Sequence, residues 1–250
     1  MNRLPRLALT AVLLISACSA QAAQLRVAVA ANFKHALDQI AADYQQQTGI
    51  EVTVSAGGSG ALYTQILHGA PYDLFLSADV ERPQLLEQGG QGLAGSRLTY
   101  ATGILAFWSP GQAASEQLLR DWQPRLSIAN PRLAPYGLAA QQTLAHLQLP
   151  KSPPLVRGAN ILQAYQYVQS GNASAGLVAL SHLKAAKVPS SEYWLVPNEW
   201  HQPIEQQGIV LKRSAHPQLA CDFLNYVMAA DRLLADSGYL VPDGQAQCRL

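Results

Sequence analysis

Four short turns of the chain place small or polar residues at the start of a predicted helix, where they could bind an anion. Asn32 lies in AVAANF, Ser59 in SAGGSGAL, Tyr136 in APYG, and Asn160 with Ile161 in GANI. The N–H groups of a helix's first turn lack acceptors within the helix and carry partial positive charge. If these four helix starts met in one place, they would form an anion site that needs no lysine or arginine.

Each of these turns, taken singly, also fits an ordinary helix cap. Asn and Ser are common at the position just before a helix, whatever the function of the protein. Gly57 and Gly58, which precede Ser59, favour the anion site more specifically, because glycines let the backbone approach a ligand closely. The hypothesis therefore depends on the fold bringing the four turns together.

Motifs of several enzyme classes are incomplete in this sequence. GGSGA around Ser59 lacks the last glycine of G-x-S-x-G, because Ala61 stands there, so a nucleophile elbow is not predicted. No Walker A lysine follows Gly60 and no G-x-G-x-x-G opens a helix. The histidines are scattered without H-E-x-x-H. We predict a protein that is not an enzyme and has no cofactor. The alternative from another class is an exported hydrolase that uses Ser59 as its nucleophile.

The elements that must position these turns alternate between strand and helix. Apolar residues at 25–30 predict a strand, and Ala36, Ile40 and Tyr44 then recur at helical spacing. Gly49 ends that helix and a second strand follows at 50–54. The same order continues through the chain, which predicts an α/β fold of mainly parallel sheets flanked by helices.

The length and order of these elements favour two lobes with a ligand cleft between them. Residues 23–101 and 209–250 are expected to form lobe 1, and residues 102–208 lobe 2. The run LTYATGILAFW, which begins at Leu98, is predicted to be one strand near the first passage between lobes. The absence of a low-complexity linker indicates structured crossings that hinge.

The amino terminus has the three-part order of a secretory signal peptide. Arg3 and Arg6 precede an apolar run, and small residues follow it. Ala20 and Ala22 favour cleavage after residue 22, so residues 1–22 are predicted to be a leader and the mature protein periplasmic. The alternative is a lipid anchor at Cys18, because Ile15-Ser16-Ala17-Cys18 resembles a lipobox.

Charge and cysteine content limit the partners of the mature chain. Without Arg3 and Arg6 the 17 basic residues become 15, against 16 acidic ones, so no nucleic-acid partner is implied. Cys221 and Cys248 remain after cleavage. In an oxidising compartment this pair predicts one disulfide, with two free buried thiols as the alternative.

The segments AVAANF, SAGGSGAL, APYDLFLSAD, NPRLAPYG and SGNASAGLVALS, in this order, resemble the periplasmic molybdate-binding proteins of ABC transporters. The resemblance covers nearly the whole mature chain. It implies a periplasmic-binding-protein fold of type II, molybdate or tungstate as the ligand, a membrane permease as the partner, and a monomer. The same fold tuned to sulfate or thiosulfate is the nearest alternative.

The resemblance also assigns ligand residues position by position. In lobe 1 they are Ala31, Asn32 and Ser59, with Gly58 in support. In lobe 2 the backbone donors are Tyr136 and Ile161, with Asn160 capping the helix of Ile161. The metal of the oxyanion would be held only through its oxygens, by Asn32, Ser59, Tyr136 and Ile161. Some relatives add a tyrosine hydroxyl where this chain has Ala179, so that donor is missing and the Asn32 amide is expected to compensate.

Overall fold

The fold is known from a computed structural model that describes residues 24–242 and 246–250. The predicted leader, residues 1–22, and the alternative anchor Cys18 lie outside the described residues. Within the described residues, none of the helices has the length and apolar character needed to span a membrane.

Strands of the described chain form two separate sheets. The first has the spatial order β11-β4-β10-β3-β1-β2 and contains β1 (Gln24–Ala30), β2 (Glu51–Gly57), β3 (Leu74–Leu76), β4 (Leu98–Gly103), β10 (Ile204–Val210) and β11 (Tyr239–Leu240). The second has the order β7-β6-β8-β5-β9 and contains β5 (Leu105–Trp108), β6 (Leu126–Ala129), β7 (Leu155–Gly158), β8 (Ala175–Ala179) and β9 (Tyr193–Leu195).

Helices connect and flank these strands. They are α1 (Lys34–Thr48), α2 (Ser59–Leu67), α3 (Glu81–Gln88), α4 (Glu116–Arg120), α5 (Pro135–Leu147), α6 (Ile161–Gln169), α7 (Leu180–Ala185), α8 (Pro217–Met228) and α9 (Asp231–Asp236). The molecule is therefore a two-lobed α/β protein, as the alternation of patterns predicts.

Both sheets are mixed. In the first, β1 pairs in parallel with β2 and β3, whereas β10 runs antiparallel to β3 and β4. In the second, β6 pairs in parallel with β7 and β8, and β5 runs antiparallel to β8 and β9. The parallel strands come from the predicted β-α-β order, and strands from the crossing segments complete each sheet.

The run from Leu98 to Trp108 is two strands and not the single strand predicted from its apolar pattern. β4 belongs to the first sheet and β5 to the second, and Ile104 separates them. The chain returns at β10, so residues 102–103 and 204–208 pair in the first sheet, although the sequence assigned them to lobe 2. Hydrophobic pattern alone cannot reveal this change of sheet, because the residues on both sides of it are buried.

Helix α1 illustrates how the sequence pattern determines packing. Its buried residues include Ala36, Ile40 and Tyr44, the predicted stripe. Gly49 ends the helix in the left-handed conformation, with φ of 74°, and its N–H donates to Gln45 O. The stripe packs against the first sheet in a core that also includes residues of α8. The carboxyl end of β1 and the start of α1 are thereby held at one edge of the sheet.

The carboxyl-terminal segment is fastened to the first lobe. Cys221 in α8 and Cys248 are joined by a disulfide across 27 residues of sequence. Asn225 binds the backbone of Cys248 from both sides: its Nδ2 donates to Cys248 O at 3.0 Å and its Oδ1 accepts from Cys248 N at 2.7 Å.

Candidate functional site

A small cavity of about 10 Å³ lies where turns of the two sheets meet. All the residues singled out from the sequence line it, namely Ala31, Asn32, Gly58, Ser59, Tyr136, Asn160 and Ile161. None of its described lining residues carries a formal charge. The volume is close to that of one water-sized probe, so the two sheets must separate slightly to admit a larger ion.

The turn after β1 contributes Asn32 and not the amide of Ala31. Ala31 N–H donates to Gly57 O at 2.8 Å, as part of the pairing between β1 and β2, and Phe33 N–H donates to Ala30 O at 2.9 Å. Among the described residues of this turn, Asn32 is therefore the one whose backbone N–H can serve a ligand. The family pattern pointed to both residues, but β-sheet pairing uses the first amide.

Ser59 begins α2, and a backbone hydrogen bond holds its hydroxyl in place. Its Oγ accepts a hydrogen bond from Ala78 N at 3.0 Å, and the residue is 1% exposed. Because the oxygen is held as an acceptor, the hydroxyl hydrogen can point to a ligand as a donor. The backbone N–H of Ser59 adds a further donor, since the first N–H groups of a helix lack acceptors within the helix.

Two helix starts of the second lobe face the same cavity. Tyr136 is the second residue of α5, behind Pro135, and Ile161 is the first residue of α6. The Asn160 side chain caps α6 by accepting from Gln163 N at 3.0 Å. Capping holds the first turn in place, so the N–H of Ile161 is presented at a defined position.

The lobes approach each other closely beside the cavity. Gly60 N–H, in the first turn of α2, donates to Leu133 O of the other lobe at 3.0 Å. A Cβ on Gly58 would lie 3.2 Å from Ala159 O and 3.4 Å from Leu133 O. Glycine is needed here for close approach between backbones, because φ of Gly58 is an ordinary −69°.

Behind the cavity lies a buried network that the sequence did not reveal. Asn32 Nδ2 lies 2.9 Å from Gln206 Oε1, 3.2 Å from Tyr239 Oη and 3.5 Å from Tyr136 Oη. Tyr100 Oη donates to Gln206 Oε1 at 3.0 Å. No local motif marks these residues, although a buried glutamine on an apolar strand, Gln206 in IEQQGIV, was a usable signal.

The three tyrosines of this network keep their hydrogens at neutral pH. Burial raises the pKa of Tyr100, of Tyr136 and of Tyr239 above the usual value near 10. Their hydroxyls are therefore available as donors. Tyr136 Oη reaches across from the second lobe to Gly103, where even a Cβ would approach it to 2.1 Å. The last residue of the first-lobe strand β4 must thus be glycine for Tyr136 to fit.

Helix α7 supports the first turn from the other lobe. Ser181 Oγ donates to Asn32 O at 3.0 Å, and His182 Nε2 lies 3.3 Å from Ala31 O. Burial lowers the pKa of His182 to about 4, so the ring is neutral at neutral pH and donates through Nε2. Ala179, just before α7, is fully buried and offers no hydroxyl, so the donor that some relatives have at this position is absent.

This arrangement is suited to binding and not to covalent chemistry. Ser59 Oγ is hydrogen-bonded to a backbone amide, and the buried imidazole of His182 contacts Ala31 O. Donors from two lobes instead line one uncharged cavity. Two α/β lobes that enclose such a cavity define a solute-binding protein.

Comparison with known proteins places the chain in a family. Residues 25–240 match the family of bacterial extracellular solute-binding proteins, and the chain belongs to that family. It is 43% identical over 218 residues to the molybdate-binding protein ModA of Azotobacter vinelandii, covering 84% of this chain and 86% of the relative. It is 37% identical to ModA of Rhodobacter capsulatus, covering 87% of each. These relatives are binding proteins and not enzymes.

Solved structures agree with this assignment. The periplasmic molybdate-binding protein of Azotobacter vinelandii superposes with a TM-score of 0.82 at 38% identity, covering 88% of this chain and 100% of that one. The sulfate-binding protein SubI of Mycobacterium tuberculosis superposes with a TM-score of 0.74 at 14% identity, covering 89% and 88%. At that identity the second likeness shows a shared fold alone.

Proposed function

We propose that this protein captures molybdate, and its near twin tungstate, and delivers the oxyanion to the membrane permease of an ABC importer. The observation that carries the proposal is the uncharged cavity at which Asn32, Ser59, Tyr136 and Ile161 meet from both lobes. A doubly charged anion without its water requires several donors, and hydrogen bonds to a charged group contribute about 1.5–3 kcal/mol each. Backbone N–H groups and the Ser59 hydroxyl can supply them.

Delivery follows from the position of the site between the lobes. A ligand that contacts both lobes favours the closed state, and the closed state presents a different surface to a permease. The proposed lobes are the two sheets with their helices, and the proposed hinge strands cross near Ile104 and before Ile204. The chain is proposed to act as a monomer.

Export by residues 1–22 fits this role. The Cys221–Cys248 disulfide supports an oxidising compartment such as the periplasm. Mass analysis of the mature amino terminus should give a chain that begins at Ala23. A lipid-modified terminus at Cys18 would replace the free periplasmic protein with an anchored one.

Ser59→Ala tests the site. We expect the affinity for molybdate, measured by titration calorimetry, to fall about tenfold or more, because one charge-assisted hydrogen bond is lost. Ala78 N–H also loses its partner, so some thermal stability should be lost as well. Ser109→Ala is the matched control, because Ser109 is a buried serine that does not line the cavity, and its hydroxyl has no hydrogen-bond partner among the described residues.

Competition between ions tests the ligand. Molybdate and tungstate should displace each other from the protein, whereas an equal concentration of sulfate should displace neither. Intrinsic fluorescence of the four tryptophans, Trp108, Trp122, Trp194 and Trp200, provides the signal. If sulfate bound more tightly than molybdate, the protein would be a sulfate receptor.

In the separate Ser59→Ala titration, full affinity for molybdate would show that the assigned site is wrong.

A further inference from the structure

The Asn32 side chain belongs to two environments at once. Asn32 lines the cavity, and its amide also enters the buried network behind the cavity. As the amide atoms are assigned, Nδ2 donates to Gln206 Oε1 at 2.9 Å and approaches the hydroxyls of Tyr239 and Tyr136 at 3.2 and 3.5 Å. Gln206 is fully buried, so its amide must satisfy its hydrogen bonds inside this network.

In this orientation donors and acceptors do not match. Asn32 Oδ1 is buried and has no hydrogen-bond partner among the described residues. The Tyr136 oxygen receives hydrogens from both amides, from Asn32 Nδ2 and from Gln206 Nε2, each at 3.5 Å. Its own hydrogen then has no acceptor in the network. An unsatisfied buried oxygen beside an anion would also repel that anion.

Turning both amides by 180° gives every group of the network except Asn32 Nδ2 a hydrogen-bond partner. The nitrogen and oxygen of an amide occupy equivalent positions, so the hydrogen-bond network decides between them. Gln206 Nε2 then donates to Asn32 Oδ1 across the 2.9 Å contact, and the Tyr136 hydroxyl donates to Gln206 Oε1. The Tyr100 hydroxyl receives from Gln206 Nε2 and donates to Ser77 O at 3.1 Å.

The remaining contacts are compatible with this arrangement. The Tyr239 hydroxyl lies 2.7 Å from Asn32 O and 3.2 Å from the side-chain amide, so it shares its hydrogen between the two Asn32 oxygens. Both hydrogens of Asn32 Nδ2 then lie on the side of the amide away from Gln206. Nδ2 then occupies the position at which, in the first orientation, Asn32 Oδ1 has no hydrogen-bond partner among the described residues.

We propose that Gln206 is a positioning residue that turns the Asn32 amide so that Nδ2 donates into the cavity. The inference rests on the proposed function and deepens it. A cavity that presents only donors accepts an oxyanion without hydrogens, such as molybdate. Hydrogen phosphate carries a hydrogen that needs an acceptor, and Asn32 Oδ1 would be that acceptor if the amide faced the other way. Gln206 therefore sets selectivity against protonated oxyanions.

Gln206→Met tests this role by removing the amide while keeping the length of the side chain. Calorimetric titrations with molybdate and with inorganic phosphate should show that the affinity for molybdate relative to that for phosphate falls about tenfold. The reason is that the freed Asn32 amide can turn either its nitrogen or its oxygen to the ligand. Gln207→Met is the matched control: Gln207 is the adjacent buried glutamine, and it bonds to Thr99 and Arg97 instead. Its ratio should equal that of the wild type.

A measurement on the wild-type protein keeps the test independent of how the variant folds. In ¹⁵N-labelled protein the side-chain NH₂ signals of Asn32, identified by their loss in Asn32→Ser, should move to higher proton frequency when molybdate is added. Signals that stay in place, or a Gln206→Met ratio equal to that of wild type, would overturn the positioning role while leaving the proposed function intact. Absence of molybdate binding by the wild type would overturn the proposed function itself.

Discussion

Single residues of the cavity gain their chemistry from the contacts that hold them. Ser59 is an ordinary serine in sequence, but the Ala78 amide occupies one side of its oxygen and leaves the hydroxyl hydrogen for a ligand. Asn32 is an ordinary cap in sequence, but two lobes fasten it: Ser181 and Tyr239 both donate to its carbonyl. Such fixed donors do not need to reorganise when an anion binds.

His182 should make stability depend on pH. Burial lowers its pKa to about 4 in the folded protein, against about 6.5 when unfolded. Between these values the unfolded chain binds a proton that the folded protein does not, so stability falls as pH falls from about 6.5 to 4. We expect titration of this residue to lower the free energy of unfolding by roughly 3 kcal/mol over this range, measured by urea unfolding at several pH values.

Comparison with variants isolates the contribution of this histidine. His182→Gln keeps a donor for Ala31 O but has no titrating ring. Between pH 7 and 4 its free energy of unfolding should therefore decrease by about 3 kcal/mol less than that of wild type. His68→Gln, at an exposed position, should behave like wild type. Parallel pH curves for wild type and His182→Gln would contradict the prediction.

At the scale of elements, the site is made by strand ends and helix starts. β1 leads to α1, β2 to α2, β6 to α5 and β7 to α6, and ligands of open α/β sheets bind at this edge. The first-turn N–H groups of a helix have no acceptor within the helix. Gly60 N–H is already bonded to Leu133 O and Gln163 N–H to Asn160 Oδ1, so only the remaining first-turn N–H groups can serve a ligand. The position of each helix relative to its strand therefore determines where donors lie.

Gly58→Val should hinder closure of the lobes over α2. The added side chain would meet Ala159 O and Leu133 O, backbone atoms that cannot move away independently of the second lobe. We expect molybdate affinity to fall more than tenfold, with little change in the thermal stability of the unliganded protein. Calorimetry measures the affinity. Small-angle scattering in the presence of molybdate should give a larger radius of gyration for Gly58→Val than for wild type.

Ala56→Val is the control for that experiment. It places a valine on the same strand β2 at an exposed position, away from the second lobe. Its affinity should equal that of wild type. Full affinity in Gly58→Val would mean that close approach at this point is not required for binding.

At the scale of the whole molecule, two sheets share one chain that crosses between them twice, from β4 to β5 and from β9 to β10. Near the carboxyl terminus, β11 pairs with β4 in the first sheet. The disulfide then joins Cys248, in the segment after β11, to Cys221 in α8. The carboxyl terminus thus stabilises the lobe to which Tyr239 contributes its hydroxyl.

Removing the disulfide should lower stability without altering the site. The loop of 27 residues predicts that the free energy of unfolding falls by about 3.5 kcal/mol through chain entropy. This is equivalent to roughly 7–14 °C in the unfolding midpoint for a protein of this size. Calorimetry of the double variant Cys221→Ala, Cys248→Ala, and of wild type with reductant, provides the measurement. Molybdate affinity should stay unchanged, and equal midpoints for wild type and variant would contradict the prediction.

The sequence by itself indicated the four turns and most of the elements, but not the division between β4 and β5. Helical spacing in α1, the left-handed Gly49 and the Asn160 cap are short-range features, so neighbouring residues reveal them. The same local signals identified Asn32, Ser59, Tyr136 and Ile161 as a set, and family resemblance supplied the oxyanion. The structure gathers this set around one cavity, and its role in binding is a prediction that the variants test.

Only the tertiary structure decided which donors are already in use and what holds the others. The Ala31 amide is used by pairing with Gly57, a partner on another strand. Gln206 and Tyr239 lie 174 and 207 residues from Asn32 along the chain, and no periodicity relates them. Their contacts arise because the sheets and helices close around each other, and hydrogen bonds depend on distances and angles in space that local sequence does not contain.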